Sequence, residues 1–423
     1  MVAVVAVVVN TANVASATKR LSFRDPIPVS YPHFQAGSGF SGPRFSFCRD
    51  TTGLIQGRTP MTPFEIARYR LINQHIVAGR VKHPMALVGE LVAMQSQDYG
   101  GTLWAVGLRM PEGSKYRTEA AIEQAMAERT IIRTWPMRGT LHVVAAKDIR
   151  WMLELLTPRI ISGTGERMKR LELSEAVFRR SRKLFIAALE GGRQLTREAL
   201  GELLEKHGIS TAGMRGYHIF WRLAQEGTIC FGARVGKQHT FALLHEWAPG
   251  AKSMDREVAL AELATRYFRS HGPATLRDFI WWSGLKAVDA RAGLESAAAR
   301  LEQFAVGNTI YWMARELASV PDGGQRAYLL PGFDEFILGY NDRSAAVEAK
   351  HFRKVTGNNG VFANTLVLDG RVVGTWKREV KKDKIIVRAS PFAAVKKIER
   401  EEFGPAAEQY GEFWGGTVEM KWK

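Results

Sequence analysis

The chain has 423 residues, 46% of them apolar and 24% charged, with 59 Lys and Arg against 42 Asp and Glu. That length holds roughly two to four domains, and no apolar stretch of about 18 residues exists to cross a membrane as a helix. The net charge of +17 favours polyanionic partners, nucleic acid first, and the two cysteines, Cys48 and Cys230, form neither a disulfide framework nor a metal site.

Residues 1–60 differ from the rest. "MVAVVAVVVN" has the apolar run of a signal peptide without a basic start, and Pro, Gly and Ser then recur with no period. We expect a disordered tail or an upstream-start artefact, with a targeting peptide as the other reading. The tail holds six basic and two acidic residues, so the remaining 363 keep 53 against 40, or +13.

After Met61 the pattern is helix pairs followed by short strands, three times over. Thr62, Pro63 and Glu65 occupy N-cap, N1 and N3 of a first helix. A second helix is expected over roughly Met85–Met94, and "TEAAIEQAMAERT" is a third. "IIRTWPMRGTLHVVA" reads as strand, turn at Gly139 and strand, followed by a helix containing Pro158. In the second unit Thr196 caps a helix with Leu200, Leu203 and Leu204 inward. An amphipathic helix and a hairpin turning near Gly232 and Gly236 follow. The third unit runs "DREVALAELATRYFRSHG", then a helix from Pro273 to Gly284, then "AVDARAGLESAAARLEQF", then a hairpin. Helix, turn, helix and a two-stranded ribbon is the winged-helix order.

The pattern predicts a mainly α chain with little β. It gives three tandem winged-helix modules, at residues 61–170, 171–250 and 251–320, and a C-terminal β-rich domain at 321–423. In the last, Asp369-Gly370 marks a hairpin.

Chemistry is sparse. No P-loop, HExxH or cysteine-pair pattern occurs, so no metal and no cofactor is expected. His142 on its alternating strand reads as structural. Arg129, Arg133 and Arg138 flank the first hairpin, and Arg215, Arg222, Arg234 and Lys237 surround the second module's helix and wing. On winged helices with excess positive charge these are candidate DNA contacts. Trp281 and Trp282 have the faces to stack on bases, but helical spacing puts at least one in the core.

"ELVAMQSQDYGGTLWAVGLR", residues 90–109, poses the central question. In a helix Gln95 and Gln97 point about 200° apart, whereas in an extended chain they share a face. Extended, the two amides can hold a water and a sugar or phosphate, with Asp98 beside them as a charge. Spacing alone leaves open a helix end with solvated amides.

These residues resemble the winged-helix DNA-binding family that contains the AlkZ and YcaQ DNA glycosylases. The likeness runs from about Met61 to the C-terminus. It is carried by "AMQSQDYGGTLWAVGLR", "RTWPMRGTLHVVAAKDIRWML", "HGPATLRDFIWWSGL", "LLPGFDEFILGYNDRS" and "LVLDGRVVGTWKR". The resemblance implies a C-shaped molecule and a monofunctional glycosylase that removes N7-alkylguanine from duplex DNA and unhooks crosslinks through that atom. The family's motif is Gln, an aliphatic residue, then Gln or Asp. It falls on Gln95, Ser96 and Gln97, with Ser96 departing from the aliphatic position. Gln97 is then expected to place a water, Gln95 to orient it or the sugar, and Asp98 to be a candidate charge stabiliser. A non-catalytic winged-helix regulator is the alternative. We expect a monomer in the cytoplasm, associated with the nucleoid and not with a membrane.

Overall fold

The computed structural model describes residues 61–77, 79–316, 326–357, 360–381 and 384–423. The expectations for residues 1–60, and the boundary placed at 320/321, lie outside them. Helix makes up about 48% and strand 21%. No described helix is long and apolar enough to cross a membrane.

The first unit opens with α1 (Pro63–Asn73), whose capping box forms as expected: Thr62 Oγ1 accepts from the Glu65 amide and Glu65 Oε2 from the Thr62 amide. Next come α2 (Pro84–Leu91), β1 (Ala93–Gln95), α3 (Tyr99–Gly107), α4 (Glu119–Ala127), β2 (Ile131–Met137), β3 (Thr140–Ala145) and α5 (Ile149–Ser162). Two sequence expectations change here. The helix expected to Met94 ends at Leu91, because Val92 turns the chain at φ +68°, ψ −55°, a γ-turn geometry rare for a branched residue. The chain is then extended, with Ala93 packing into one core and Met94 into another. The stretch after Asp98, for which the sequence predicts no element, is α3, a helix apolar on most sides and therefore buried. Its glycines permit close approach: a Cβ on Gly107 would lie 2.3 Å from the Phe413 ring. Arg138 (φ +53°) and Gly139 (φ +73°) make the tight turn between β2 and β3.

The second unit comprises α6 (Gly165–Arg170), α7 (Glu175–Leu189), β4 (Leu195–Thr196), α8 (Arg197–Lys206), α9 (Arg215–Gln225), β5 (Ile229–Phe231), β6 (Thr240–Leu243) and α10 (Leu244–Trp247). Helix α7 was not read from the sequence, although Ser174 caps it. The third comprises α11 (Arg256–His271), α12 (Leu276–Ser283), α13 (Ala287–Ala297), β7 (Leu301–Val306) and β8 (Thr309–Ala314). Helix α12 starts three residues after Pro273, at the Thr275–Asp278 capping box, and Gly284 ends it in the left-handed region. Residues 301–304, expected in the preceding helix, belong to the hairpin's first strand.

The three units share a connection pattern. The sheet orders are β1-β3-β2 and β4-β6-β5. In the third unit a single bridge, Ala274 to Trp312 on β8, stands where β1 and β4 stand in the others.

The C-terminal part holds β9 (Ala327–Leu330), α14 (Glu335–Leu338), α15 (Phe352–Thr356), β10 (Asn364–Leu368), β11 (Arg371–Lys381), β12 (Lys384–Pro391), α16 (Lys397–Glu401), α17 (Gly404–Trp414) and β13 (Thr417–Trp422). The strands form one sheet, β13-β12-β11-β10-β9, with β12 and β13 parallel. Asp369 (φ +49°) and Gly370 (φ +80°) turn β10 into β11. This sheet shares its core with α2, α3 and α4: Trp104 packs on Tyr410 and Phe413 and donates to the Leu329 carbonyl at 2.7 Å. The hairpin β2–β3 meets α5 and the third unit's helices in a second core, and through Trp135 and Leu141 it joins the second unit's core. The first unit therefore sits where these three cores meet.

Candidate active site around the Gln95–Gln97 strand

Strand β1 pairs antiparallel with β3, bringing Gln95 opposite His142. The ladder continues one step: the Ser96 amide donates to the Leu141 carbonyl at 2.7 Å. The next bond is made by a side chain, since the Leu141 amide donates to Gln97 Oε1 at 2.9 Å. The strand itself ends at Gln95: Ser96 continues the ladder by one bond, and Gln97 lies in a bend with its side chain turned back to the β3 backbone.

Gln95 is 5% exposed. Its Oε1 accepts from Arg138 Nη2 at 2.9 Å, and its backbone N–H donates to Glu335 Oε1 at 2.9 Å. Its Nε2 is buried with no partner in the protein. Gln97 is half-buried and Asp98 is exposed at the start of α3. Between them Ser96 is wholly buried. Its Oγ accepts from Arg133 Nε at 3.0 Å and donates to Thr102 Oγ1 at 3.1 Å, and its carbonyl accepts from Arg133 Nη2 at 2.9 Å.

Behind Gln95 lies a buried polar network. Glu335 Oε2 accepts from Trp282 Nε1 at 2.9 Å and lies 3.5 Å from His271 Nε2. Burial opposes the charge on Glu335, but His271 at 3.5 Å and the Arg138 guanidinium outweigh it and hold the carboxyl at about 2. His142 is pushed down to about 3, by burial first and by Arg138 second. It is therefore neutral, with Nδ1 donating to the Thr140 carbonyl at 2.9 Å and Nε2 accepting from Arg138. Arg138 also donates to the Trp282 carbonyl. One step away, Arg109 and Asp334 form a wholly buried two-pronged ion pair at 2.9 and 2.7 Å. Asp334 also caps α14 and so aims Glu335.

Beside Asp98 opens a pocket of about 260 Å³, lined in part by Tyr99, Glu123, Arg133, Phe231, Arg234 and His239. Arg234 pairs with Glu123 and lies over the Tyr99 ring at 4.9 Å. Burial, and then Glu123, raise the Tyr99 phenol to about 12.

The other sequence candidates are dispersed. The structure turns Arg133 and Arg138 inward onto the glutamine strand and puts Arg234 in the neighbouring pocket. Arg129 is exposed, 4.5 Å above the Trp247 ring. Arg215 donates to the Ser210 carbonyl, Arg222 pairs with Glu175 and Glu226, and Lys237 is exposed at the second hairpin's turn. Trp282 is core and Trp281 is 37% exposed. Glu335 went unnoticed in the sequence, although it stands in the quoted segment "LLPGFDEFILGYNDRS". A carboxylate inside an apolar run was the available signal, because such a group needs buried partners.

Helix-rich units with small three-stranded sheets around this site have a solved counterpart. The structure matches Streptomyces sahachiroi DNA glycosylase AlkZ with a TM-score of 0.71, at 20% identity, over 86% of this chain and 100% of that one. This establishes the fold. The family model "DNA glycosylase AlkZ-like" matches residues 88–413, and the chain belongs to that family. It is also 28% identical over 364 residues to the interstrand DNA cross-link repair glycosylase of Streptomyces sahachiroi, covering 80% of this chain and 94% of that one.

Proposed function

We propose that this protein is a monofunctional DNA glycosylase that excises cationic N7-alkylguanine from duplex DNA and unhooks interstrand crosslinks joined through that atom. Family membership favours this reading over a non-catalytic regulator. The observation that carries it is the pair of amides at the end of β1, with Gln97 in the bend that follows, half-buried beside exposed Asp98 and held from behind through the Leu141 amide.

The chemistry suits neutral amides. An N7-alkylated guanine already carries positive charge and leaves the sugar without a strong general acid. What remains is to place a water at C1′ and to stabilise the cationic sugar. Gln97 is the water-positioning residue: one lone pair of Oε1 is held by Leu141, and the amide keeps further hydrogen-bonding capacity. Gln95, buried beside it with its Nε2 unpartnered, orients the water or the sugar, and the Asp98 carboxylate stabilises the sugar's charge. The leaving group's own charge makes neither metal nor cofactor necessary.

The three repeated units act as winged helices, in modules near 61–170, 171–250 and 251–320 with a β-rich domain from 321, curved around DNA. Arg129 and Lys237 supply phosphate contacts, and Arg215, Arg222 and Arg234 reinforce them once DNA competes for their carboxylates. The protein works as a monomer on cytoplasmic, nucleoid DNA. Incubation with DNA carrying N7-methylguanine, or an N7-linked crosslink, followed by detection of abasic sites, is the test. Release by the parent and its loss in Gln97→Ala, with duplex binding retained, is expected. Bound DNA with no abasic sites on either substrate returns the regulator reading.

A further inference from the structure

The basic residue most deeply committed to the glutamine strand is Arg133, and its environment defines a task other than contacting DNA. It is 7% exposed. Nε and Nη2 reach Ser96 Oγ and the Ser96 carbonyl at 3.0 and 2.9 Å. Nη1 reaches His239 Nε2 at 3.4 Å. The guanidinium lies 4.6 Å from the Phe231 ring centre and 5.4 Å from that of Tyr99. Phe231 and His239 belong to the second unit, at the ends of its hairpin strands. Arg133 therefore joins the second unit's hairpin to the central residue of the Gln95-Ser96-Gln97 segment. Thr102 Oγ1 donates to the Asp98 carbonyl at 2.7 Å and accepts from Ser96 Oγ at 3.1 Å.

We infer that Arg133 is a positioning residue for base excision: through Ser96 it sets the height and rotation of the segment that presents Gln97. This rests on the glycosylase reading above. A guanidinium gripping both the side chain and the carbonyl of one residue fixes two directions at once. Because Gln95 and Gln97 flank that residue in the chain, a tilt at Ser96 moves both amides. Burial moves the Arg133 guanidinium down, to about 10, which still leaves it charged at neutral pH. Its charge meets the Ser96 oxygens and two aromatic faces, so little of it is offered outward. Burial, then the charges of Arg133, Arg234 and Arg197, push His239 down to about 3, so His239 serves as a neutral acceptor that holds the far end of the guanidinium.

The test compares Arg133→Met, Ser96→Ala and the double variant Ser96→Val/Arg133→Met with the parent. Three readings are taken: single-turnover release of 7-methylguanine at saturating duplex, duplex affinity, and amide exchange over residues 93–98 in the free protein. Arg133→Met is expected to slow release by about 10- to 100-fold with affinity within about twofold, and Ser96→Ala by about threefold. The double variant, which replaces both polar partners by apolar ones, is expected to recover most of the loss. Exchange over 93–98 is expected to quicken in Arg133→Met.

An unchanged rate with weakened affinity would make Arg133 a DNA contact and overturn the inference. So would a double variant no faster than Arg133→Met, or unchanged exchange. If Arg133→Met does not fold, Ser96→Ala decides, and an unchanged rate and exchange rejects the idea. If the parent releases no base, the glycosylase reading fails, while exchange over 93–98 still confirms or refutes the tether.

Discussion

The first and second units share an element order, yet their hairpins meet opposite fates. Every residue of β2 is buried, and the hairpin's two arginines end on Ser96 and Gln95. The second hairpin keeps residues 235–238 exposed, with Lys237 at its turn. The third is exposed too, with Ile310 54% accessible. One local fold thus serves two ends. Packed among three cores, a hairpin becomes the rear wall of a site; packed on one side, it stays a surface available to a partner. Basic residues on the two hairpins are alike in sequence and unlike in consequence.

The largest effect should come from breaking the ion pair that anchors the buried side of this comparison. Asp334→Asn leaves the Arg109 guanidinium short of its counter-charge with no access to water. We expect a loss of about 3–5 kcal/mol of stability, measured by denaturant unfolding, with no comparable loss for Lys237→Ala.

Next is Arg138→Met at the first hairpin's turn. It removes the donor to Gln95 Oε1 and to the Trp282 carbonyl. Single-turnover excision should fall by about tenfold or more while duplex affinity changes little. Affinity lost in proportion to rate would place Arg138 on the DNA instead.

Acid should act on the same buried wall. The folded protein holds His142 at about 3 against an ordinary 6.5, so the unfolded chain takes up the proton first as pH falls. The stability linked to neutral His142 is complete above about 6.5 and declines as pH drops toward 3, at most about 1.4 kcal/mol per pH unit. Unfolding measured across that range should show a shallower decline in His142→Gln. Equal slopes would remove His142 as the cause. Glu335, at about 2, contributes its own loss only below its ordinary value of 4.5.

The smallest effect belongs to the exposed hairpin. Lys237→Ala should weaken duplex binding evenly across sequences and lower the salt slope by about 1, leaving the rate at saturating DNA unchanged.

Much of the local architecture could be read from neighbouring residues. The Thr62–Glu65 box, the Thr196 cap, the Gly139 turn and the Asp369-Gly370 hairpin all form where expected. Each is settled by backbone groups within a few positions. The end of the second helix before Gln95 was also legible, but the extended chain expected to put Gln95 and Gln97 on one face stops at Gln95, and Gln97 lies in a bend. Helix α3 escaped notice because Gly100-Gly101 resembles a break, whereas close packing holds it: Gly107 lies against Phe413 and Trp104 against the C-terminal helix.

What the sequence determined by itself was the menu of elements, the excess of positive charge and the pair of amides two residues apart. Tertiary structure decided which charges were spent inside. Gln95 finds Glu335 240 positions away, and Arg109 finds Asp334 225 positions away. Capping and turn chemistry act over one helical turn and are written into adjacent letters. Burial of a charge depends on which distant segments close over it, and that exists only once the cores have packed.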